Sequence, residues 1–446
     1  MDCDEHNAAP VSGVTRRHPR PRRIYPARAA RIIRGCPRCG ALCDFPRLLL
    51  PNIAMSSSPT PHATSAESRS LARCAPLPQL QVVDISGADA VEFLHSQLTQ
   101  DVRGLSPARA AFAGYCTAKG RLLATMALWR VSEAAGPGSE AGAGGAAAGA
   151  PAAGAAGAAG AAGSNGSNGS AGAGGAGGAG GSGGAAGADT SGDTVRTLVR
   201  ADLAPALIKR LQMFVLRAKV KLAPAPLQVA GVWLDASRPD AAESAEALGQ
   251  AAGGPLPRDA WQRAELPTGT WIALPATTTF FGWWWVASDA QRDAAASLRA
   301  LLNPAATDTW REAELAAGLP WVGASMQDTF IPQTLNLDLI GAVSFTKGCY
   351  PGQEVVARSH YRGKVKRRMA FGRVSGRAGD TIAPGTDVYD PAQPNEPCGR
   401  VLDAAGGPDA AVLFETTLSA LGSDSLRLGA LDGPEIQSHP LPYALE

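Results

Sequence analysis

Residues 330–369 read "FIPQTLNLDLIGAVSFTKGCYPGQEVVARSHYRGKVKRRM", and "SFTKGCYPGQEVVAR" (344–358) is the segment on which the reading turns. Cys349 follows Gly348, and Pro351-Gly352 comes next at positions that a type II turn favours. A hydrophobic core does not ask for a cysteine between such joints. A loop of this kind lets main chain approach a ligand closely and presents the sulfur outward. Lys347 lies two residues before it. Arg358, Arg362, Lys364, Lys366, Arg367 and Arg368 follow, with no acid between Glu354 and Asp380. Positive surroundings favour the thiolate, the form that reacts and binds metals. Gln353 and Glu354 bring hydrogen-bonding groups to the same mouth, and a carboxylate near a thiol can move its proton. The competing reading is a small cysteine packed in a turn, a common place for free cysteines. His360 is the only histidine near in sequence and no oxyanion or asparagine signature accompanies it. That counts against a papain-like pair, although a partner distant in sequence stays open.

Composition narrows the field. Residues 134–192 are almost wholly Ala, Gly and Ser and hold no aromatic or large aliphatic side chain. They cannot bury enough apolar surface to offset their ordering entropy and read as a disordered insert. Residues 1–74 read as a disordered basic extension, with ten arginines between Arg16 and Arg47 and Asp44 the only acid there. Within it, "CPRCGALC" offers Cys36, Cys39 and Cys43, short of the four ligands of a structural zinc site, and no resident metal is expected. Met55 is read as the true start of the protein. The net charge is +2; the first fifty residues carry +6 and the remainder −4, which argues against a broadly basic nucleic-acid binder. No run of 18 apolar residues exists and the eight cysteines are sparse, so a reducing, cytoplasmic setting is expected.

The remaining pattern is α+β. "LQVVDISG" (80–87) predicts a strand, and "ADAVEFLHSQLTQDV" (88–102) places Val91, Leu94, His95 and Leu98 at helical spacing. "RAAFAGYCTAKGRLLATMALWRV" (109–131) predicts two strands joined at Lys119-Gly120, and "TVRTLVRAD" (194–202) resumes as a strand, so the insert belongs in a hairpin loop. Residues 204–225 predict a helix passing into a strand. The three tryptophans of "FFGWWWVAS" (280–288) are expected to alternate between sheet faces as core. A helix over 307–317 should stop at Gly318, before Pro320. Short strands with Gly/Pro turns after residue 365 suggest a small β-barrel.

The 330–369 segment resembles the signature of the YgfZ family of folate-binding proteins that support iron–sulfur cluster assembly or repair. The K-G-C-Y-x-G-Q-E positions are Lys347, Gly348, Cys349, Tyr350, Gly352, Gln353 and Glu354, and the F-I-P-Q lead-in and the exit at Arg362 and Gly363 match as well. Similar stretches are "GADAVEFLHSQLTQDV", "AKGR" (118–121), "WREAELAAGLPWV" and the terminal "LPYALE". That family is similar in fold to the T-protein of the glycine cleavage system, an aminomethyltransferase. The resemblance implies a T-protein-like split folate-binding region with ferredoxin-like parts over 75–133 and 193–364, and a small C-terminal β-barrel over 365–446. It implies tetrahydrofolate in a central cavity, with Trp310 as a folate-site tryptophan and Gly348, Tyr350, Gly352 and Arg362 contributing. A second expected tryptophan falls on Leu80.

The function implied is that of a folate-dependent accessory protein for iron–sulfur proteins, supporting tRNA modification indirectly. Cys349 would be the functional thiol, with Lys347, Gln353 and Glu354 around it, and iron–sulfur assembly factors and client enzymes as partners. A true aminomethyltransferase is the alternative. It is expected to need a carboxylate where this chain has Leu123, Ala124 and Thr125. Direct tRNA binding through the 358–368 run is not expected, and no membrane partner is.

Overall fold

The computed structural model describes residues 71–131, 193–423 and 425–445. The basic extension up to residue 70, with its cysteine cluster and Met55, and the Ala/Gly/Ser insert lie outside the described residues. The chain opens with strand β1 (Ala72–Pro76), β2 (Leu80–Ser86), helix α1 (Ala90–Gln97), the hairpin β3 (Ala111–Cys116) and β4 (Leu122–Val131), and β5 (Thr194–Arg200). Helix α2 (Ala204–Gln212), β6 (Lys221–Pro224), β7 (Gln228–Asp235), α3 (Ala241–Ala252), β8 (Arg263–Leu266), β9 (Gly269–Ala273) and β10 (Phe280–Ala287) follow. After α4 (Asp289–Ala294), α5 (Ala296–Arg299) and β11 (Leu302–Pro304) come α6 (Thr307–Ala316) and then α7 (Gln353–Tyr361). The last elements are β12 (Arg367–Ser375), β13 (Asp387–Tyr389), β14 (Gly399–Ala405), β15 (Asp409–Thr417), β16 (Arg427–Leu428) and β17 (Gln437–His439).

Among the described residues the strands form three sheets. The first has the order β3-β4-β5-β2-β6 and the second β11-β1-β7-β10-β9-β8. Val131 pairs with Thr194 across the antiparallel β4–β5 ladder, so the insert does join two neighbouring strands. The third sheet, β16-β13-β14-β15-β12-β17, curls until Arg427 meets Glu435, just before β17, and this is the C-terminal barrel.

The β10 tryptophans show how the layers meet. Trp283 and Trp285 pack with α3 and α5 on one face, while Trp284 points into the central core shared by all three sheets. Alternation along a strand dictates this, and each ring buries roughly 200 Å², about 5 kcal/mol of transfer free energy. Each indole N–H finds an acceptor: Pro257 O at 2.7 Å for Trp283, Glu314 Oε1 at 3.1 Å for Trp284 and Thr268 O at 2.8 Å for Trp285.

The span read from the sequence as extension, 1–74, includes the start of a strand. β1 begins at Ala72, held antiparallel by β7 and parallel by β11. "ARCAP" holds no β-branched residue, so only its two neighbours make it a strand. Helix α1 buries Phe93, Leu94 and His95, while Val91 is half-buried. Among the described residues no helix is long and apolar enough to cross a membrane.

Candidate functional site

The Cys349 loop is fastened to the end of α1 before it reaches the cysteine. Thr99, fully buried, accepts a bond from Gly114 N at Oγ1 (2.8 Å) and donates to Ala342 O (2.7 Å). Its carbonyl takes Ser344 N at 2.9 Å, and Gln100 Nε2 donates to Gly341 O at 2.7 Å. One short stretch after α1 thus ties strand β3 to the approach of the loop.

Lys347 makes the next fastening. Its Nζ donates to Leu98 O at 2.7 Å and to His95 O, carbonyls that the end of α1 leaves without helical partners. A cation here also meets the negative end of the helix dipole. Burial pushes the Lys347 ammonium down to about 8, against an upward pull from Asp101. The same Nζ lies 4.8 Å from the ring centre of buried Tyr350, whose phenol burial pushes up. Lys347 is therefore a clamp on α1.

Two glycines lock the far side of the loop. Gly352 has φ +82°, and a Cβ there would lie 2.4 Å from Thr117 O and 2.6 Å from Gly120. Gly120, with φ +72° in the β3–β4 turn, would bring its own Cβ within 2.9 Å of Val355 and 3.2 Å of Gly352 O. The "AKGR" turn and the "PGQE" segment therefore touch backbone to backbone. Gln353 Nε2 closes the loop with 3.4 Å contacts to Lys347 O and Gly348 O. Cys349 stands exposed at the apex of this braced loop.

The other expected site residues fall in different surroundings. Glu354 is exposed on α7 and pairs with Arg358 at 2.9 Å, and Arg362 is exposed at the helix end. Two members of the basic run, Arg367 and Arg368, are drawn into ion pairs and do not join the positive surround read from the sequence. Arg367 pairs with Glu415 at 2.5 Å and donates to Cys398 O at 2.8 Å. Arg368 is buried against Asp338 at 2.7 Å and donates to Gln333 O at 2.8 Å. Strand β12 starts at Arg367 and draws both guanidiniums into the fold. Gln333 of the "FIPQ" lead-in donates to Val356 O at 2.7 Å and so steadies α7 from below.

The structure also brings in a residue that the sequence reading left as helix core. His95 is 5% exposed. Its Nδ1 lies 3.2 Å from Asp101 Oδ1, an ion-pair separation without hydrogen-bond alignment, and Nε2 has no partner. A Cβ built on Gly348 would lie 3.7 Å from that Nε2. A histidine at an apolar helix position gives no sequence signal of this, because its neighbour is 253 positions further along the chain.

Trp310 lies elsewhere. It is fully buried in α6, with its ring over the Gly231 backbone and edge contacts to Trp233 and Phe280 at 5.6 and 5.4 Å between centroids. Its Nε1 has no partner, but the ring keeps no open face for a pterin, so Trp310 does not fit a stacking role in this conformation. Leu80 is buried in the same core. A cleft of 760 Å³ opens beside the β3–β4 turn, lined by Arg121, Phe330, Arg367, Glu396, Arg400 and Glu415 among others. It has the size of a ligand site, and its lining does not include Trp310.

One turn on from Trp310, buried Glu314 accepts the Trp284 bond. Burial pushes its carboxyl up from 4.5 to about 7, opposed by hydrogen bonds from indole N–H groups and, less, by Arg311. The folded state then holds a proton that the unfolded chain has released, so stability falls as pH rises from about 4.5 to 7. At about 1.4 kcal/mol per pH unit the full span is roughly 3 kcal/mol. Glu314→Gln keeps the acceptor and removes the titration. Melting curves should show the variant gaining on wild type between pH 5 and pH 8; a constant difference would refute the assignment.

No family profile matches the chain. Over 139 residues it is 36% identical to the tRNA-modifying protein YgfZ of Klebsiella pneumoniae (strain 342), covering 31% of this chain and 42% of that protein. It is 38% identical to tRNA-modifying protein YgfZ of Yersinia pestis (strain Pestoides F) over 141 residues, 30% of this chain and 42% of the other. The chain thus matches about two-fifths of the length of these curated relatives. In structure it resembles the glycine cleavage system aminomethyltransferase T of Bartonella henselae, with a TM-score of 0.54 and 14% identity. That alignment covers 84% of this chain and 87% of the other. At such identity the likeness is one of fold.

Proposed function

We propose that this chain, a YgfZ homologue with the fold of the aminomethyltransferase T superfamily, is a tetrahydrofolate-binding accessory protein. It would serve the assembly or repair of iron–sulfur proteins and so support tRNA modification indirectly. The observation that carries the reading is the exposed Cys349 on a loop braced by Lys347, Gly352 and Gln353. A rigid mount for an exposed thiol suits a functional group rather than packing. The name of the relatives, tRNA-modifying protein, agrees with the tRNA end of the proposal.

Folate enters through the family resemblance of the 330–369 segment, and no step is derived through it, because Trp310 offers no free face. The aminomethyltransferase alternative is not favoured. Leu123, Ala124 and Thr125 lie buried in β4 and bring no carboxylate, and Thr125 Oγ1 is occupied by Pro320 O at 2.7 Å and Val322 N at 2.9 Å. The partners proposed are iron–sulfur assembly factors and client enzymes in the cytoplasm.

The test is complementation. In bacterial cells whose own YgfZ gene is deleted, this chain should restore the level of methylthiolated tRNA measured by mass spectrometry. Soluble expression without any recovery would overturn the reading.

A further inference from the structure

We propose that His95 is the proton acceptor for Cys349, with Asp101 orienting it from the other side. The inference rests on Cys349 being the working thiol and adds how that thiol is activated. His95 is buried, its Nε2 is unpartnered, and that nitrogen lies 3.7 Å from where a Cβ on Gly348 would stand. Consecutive Cα atoms are about 3.8 Å apart, so Cys349 is attached one peptide away from Gly348. An unpaired buried ring nitrogen is costly, and native structures rarely leave one without a use.

Asp101 suits the orienting role. Its Oδ1 also accepts Gly104 N at 3.1 Å, which holds the carboxylate in place, and its charge favours a proton on the imidazole. Burial and the neighbouring Lys347 pull the other way and hold His95 below its ordinary value, so the ring is neutral and able to take a proton at neutral pH. The remaining charges nearby are Arg103, tied to Glu92 by a bond of 2.8 Å from Nε, and the Lys347 ammonium itself. Tyr350 and Cys116 both have burial-raised values, so they stay protonated. Gly348 fits this plan, because any side chain there would project toward His95.

The step balances without a redox partner. The Cys349 S–H proton passes to His95 Nε2, and the thiolate bonds to an electrophile. The group it displaces leaves with its electron pair, and the imidazolium gives its proton to that group or, where the group is as weak a base as iodide, to water. Asp101 remains a carboxylate throughout.

The experiment uses iodoacetamide as the electrophile on the full chain, following the Cys349 peptide by mass spectrometry as a function of pH. His95→Gln should move the midpoint of the Cys349 profile upward by about one pH unit, and slow alkylation at pH 7 about tenfold. Asp101→Asn should shift it in the same direction by less. A purely structural His95 would change the melting temperature and leave the profile where it was; superimposable profiles overturn the proposal. Should His95→Gln fail to fold, His95 can be titrated by NMR in wild type and Cys349→Ser. Wild type should show a second inflection of the His95 signals where Cys349 ionises, absent from Cys349→Ser, and identical titrations overturn the proposal. Complementation by Cys349→Ala would instead remove the reading of Cys349 as the working thiol, whatever the alkylation profiles show.

Discussion

Cells complemented with Cys349→Ala are expected to make no more methylthiolated tRNA than cells with empty vector, while the purified variant melts with wild type. The two halves of this result come from one observation. Cys349 is exposed at the apex of its loop. The bonds that shape that loop come from Thr99, Gln100, Lys347 and Gln353, together with main-chain groups. Removing an exposed sulfur from such a place should change stability by less than about 0.5 kcal/mol. None of the other cysteines among the described residues can substitute. Burial pushes the Cys116 thiol up to about 12 and Cys74 up to about 11, so neither supplies thiolate at neutral pH. Cys398 is buried too and donates its S–H to Val388 O at 3.3 Å. Full restoration by the variant would make Cys349 a passive loop residue.

Much of the frame was legible because its signals are local. The turn at Lys119-Gly120, the period of β10 and the stop of α6 before Gly318 each sit within a few residues of the chemistry that causes them. The loop itself was legible for the same reason, since Gly348, Cys349 and Gly352 announce an exposed turn. What stayed hidden depends on partners far along the chain. The 358–368 run reads as a patch of positive charge, yet Arg368 meets Asp338 and Arg367 meets Glu415. Lys347 reads as a charge beside the thiol, while its Nζ is spent on carbonyls of α1. Trp310 carried a folate role by resemblance alone, and its burial against Gly231 follows from a β7–α6 contact that no periodicity reveals. His95 is the sharpest case: its helical spacing correctly predicts burial, and burial beside Gly348 is what gives it a chemical opportunity.

Gly352→Ala is expected to cost about 3 kcal/mol, and Gly376→Ala about 1 kcal/mol, although the two glycines share nearly the same backbone conformation. Gly352 has φ +82° and Gly376 φ +72°, so an L side chain is strained at both. At Gly376 nothing lies within 4 Å of the added methyl, and the conformational cost stands alone. At Gly352 the methyl meets Thr117 O at 2.4 Å and Gly120 at 2.6 Å, main-chain atoms that cannot rotate aside. The collision must then be relieved by moving the "AKGR" turn or the start of α7, at the further cost typical of overpacking. Either movement displaces the Cys349 apex, because Gln353 ties α7 to the carbonyls of Lys347 and Gly348. Gly352→Ala should therefore lower the melting temperature clearly more than Gly376→Ala and also alter the alkylation rate of Cys349, which Gly376→Ala should leave unchanged. Equal melting temperatures for the two variants would mean that the β3–β4 turn yields freely, and that the loop is not braced by the contact between its glycines.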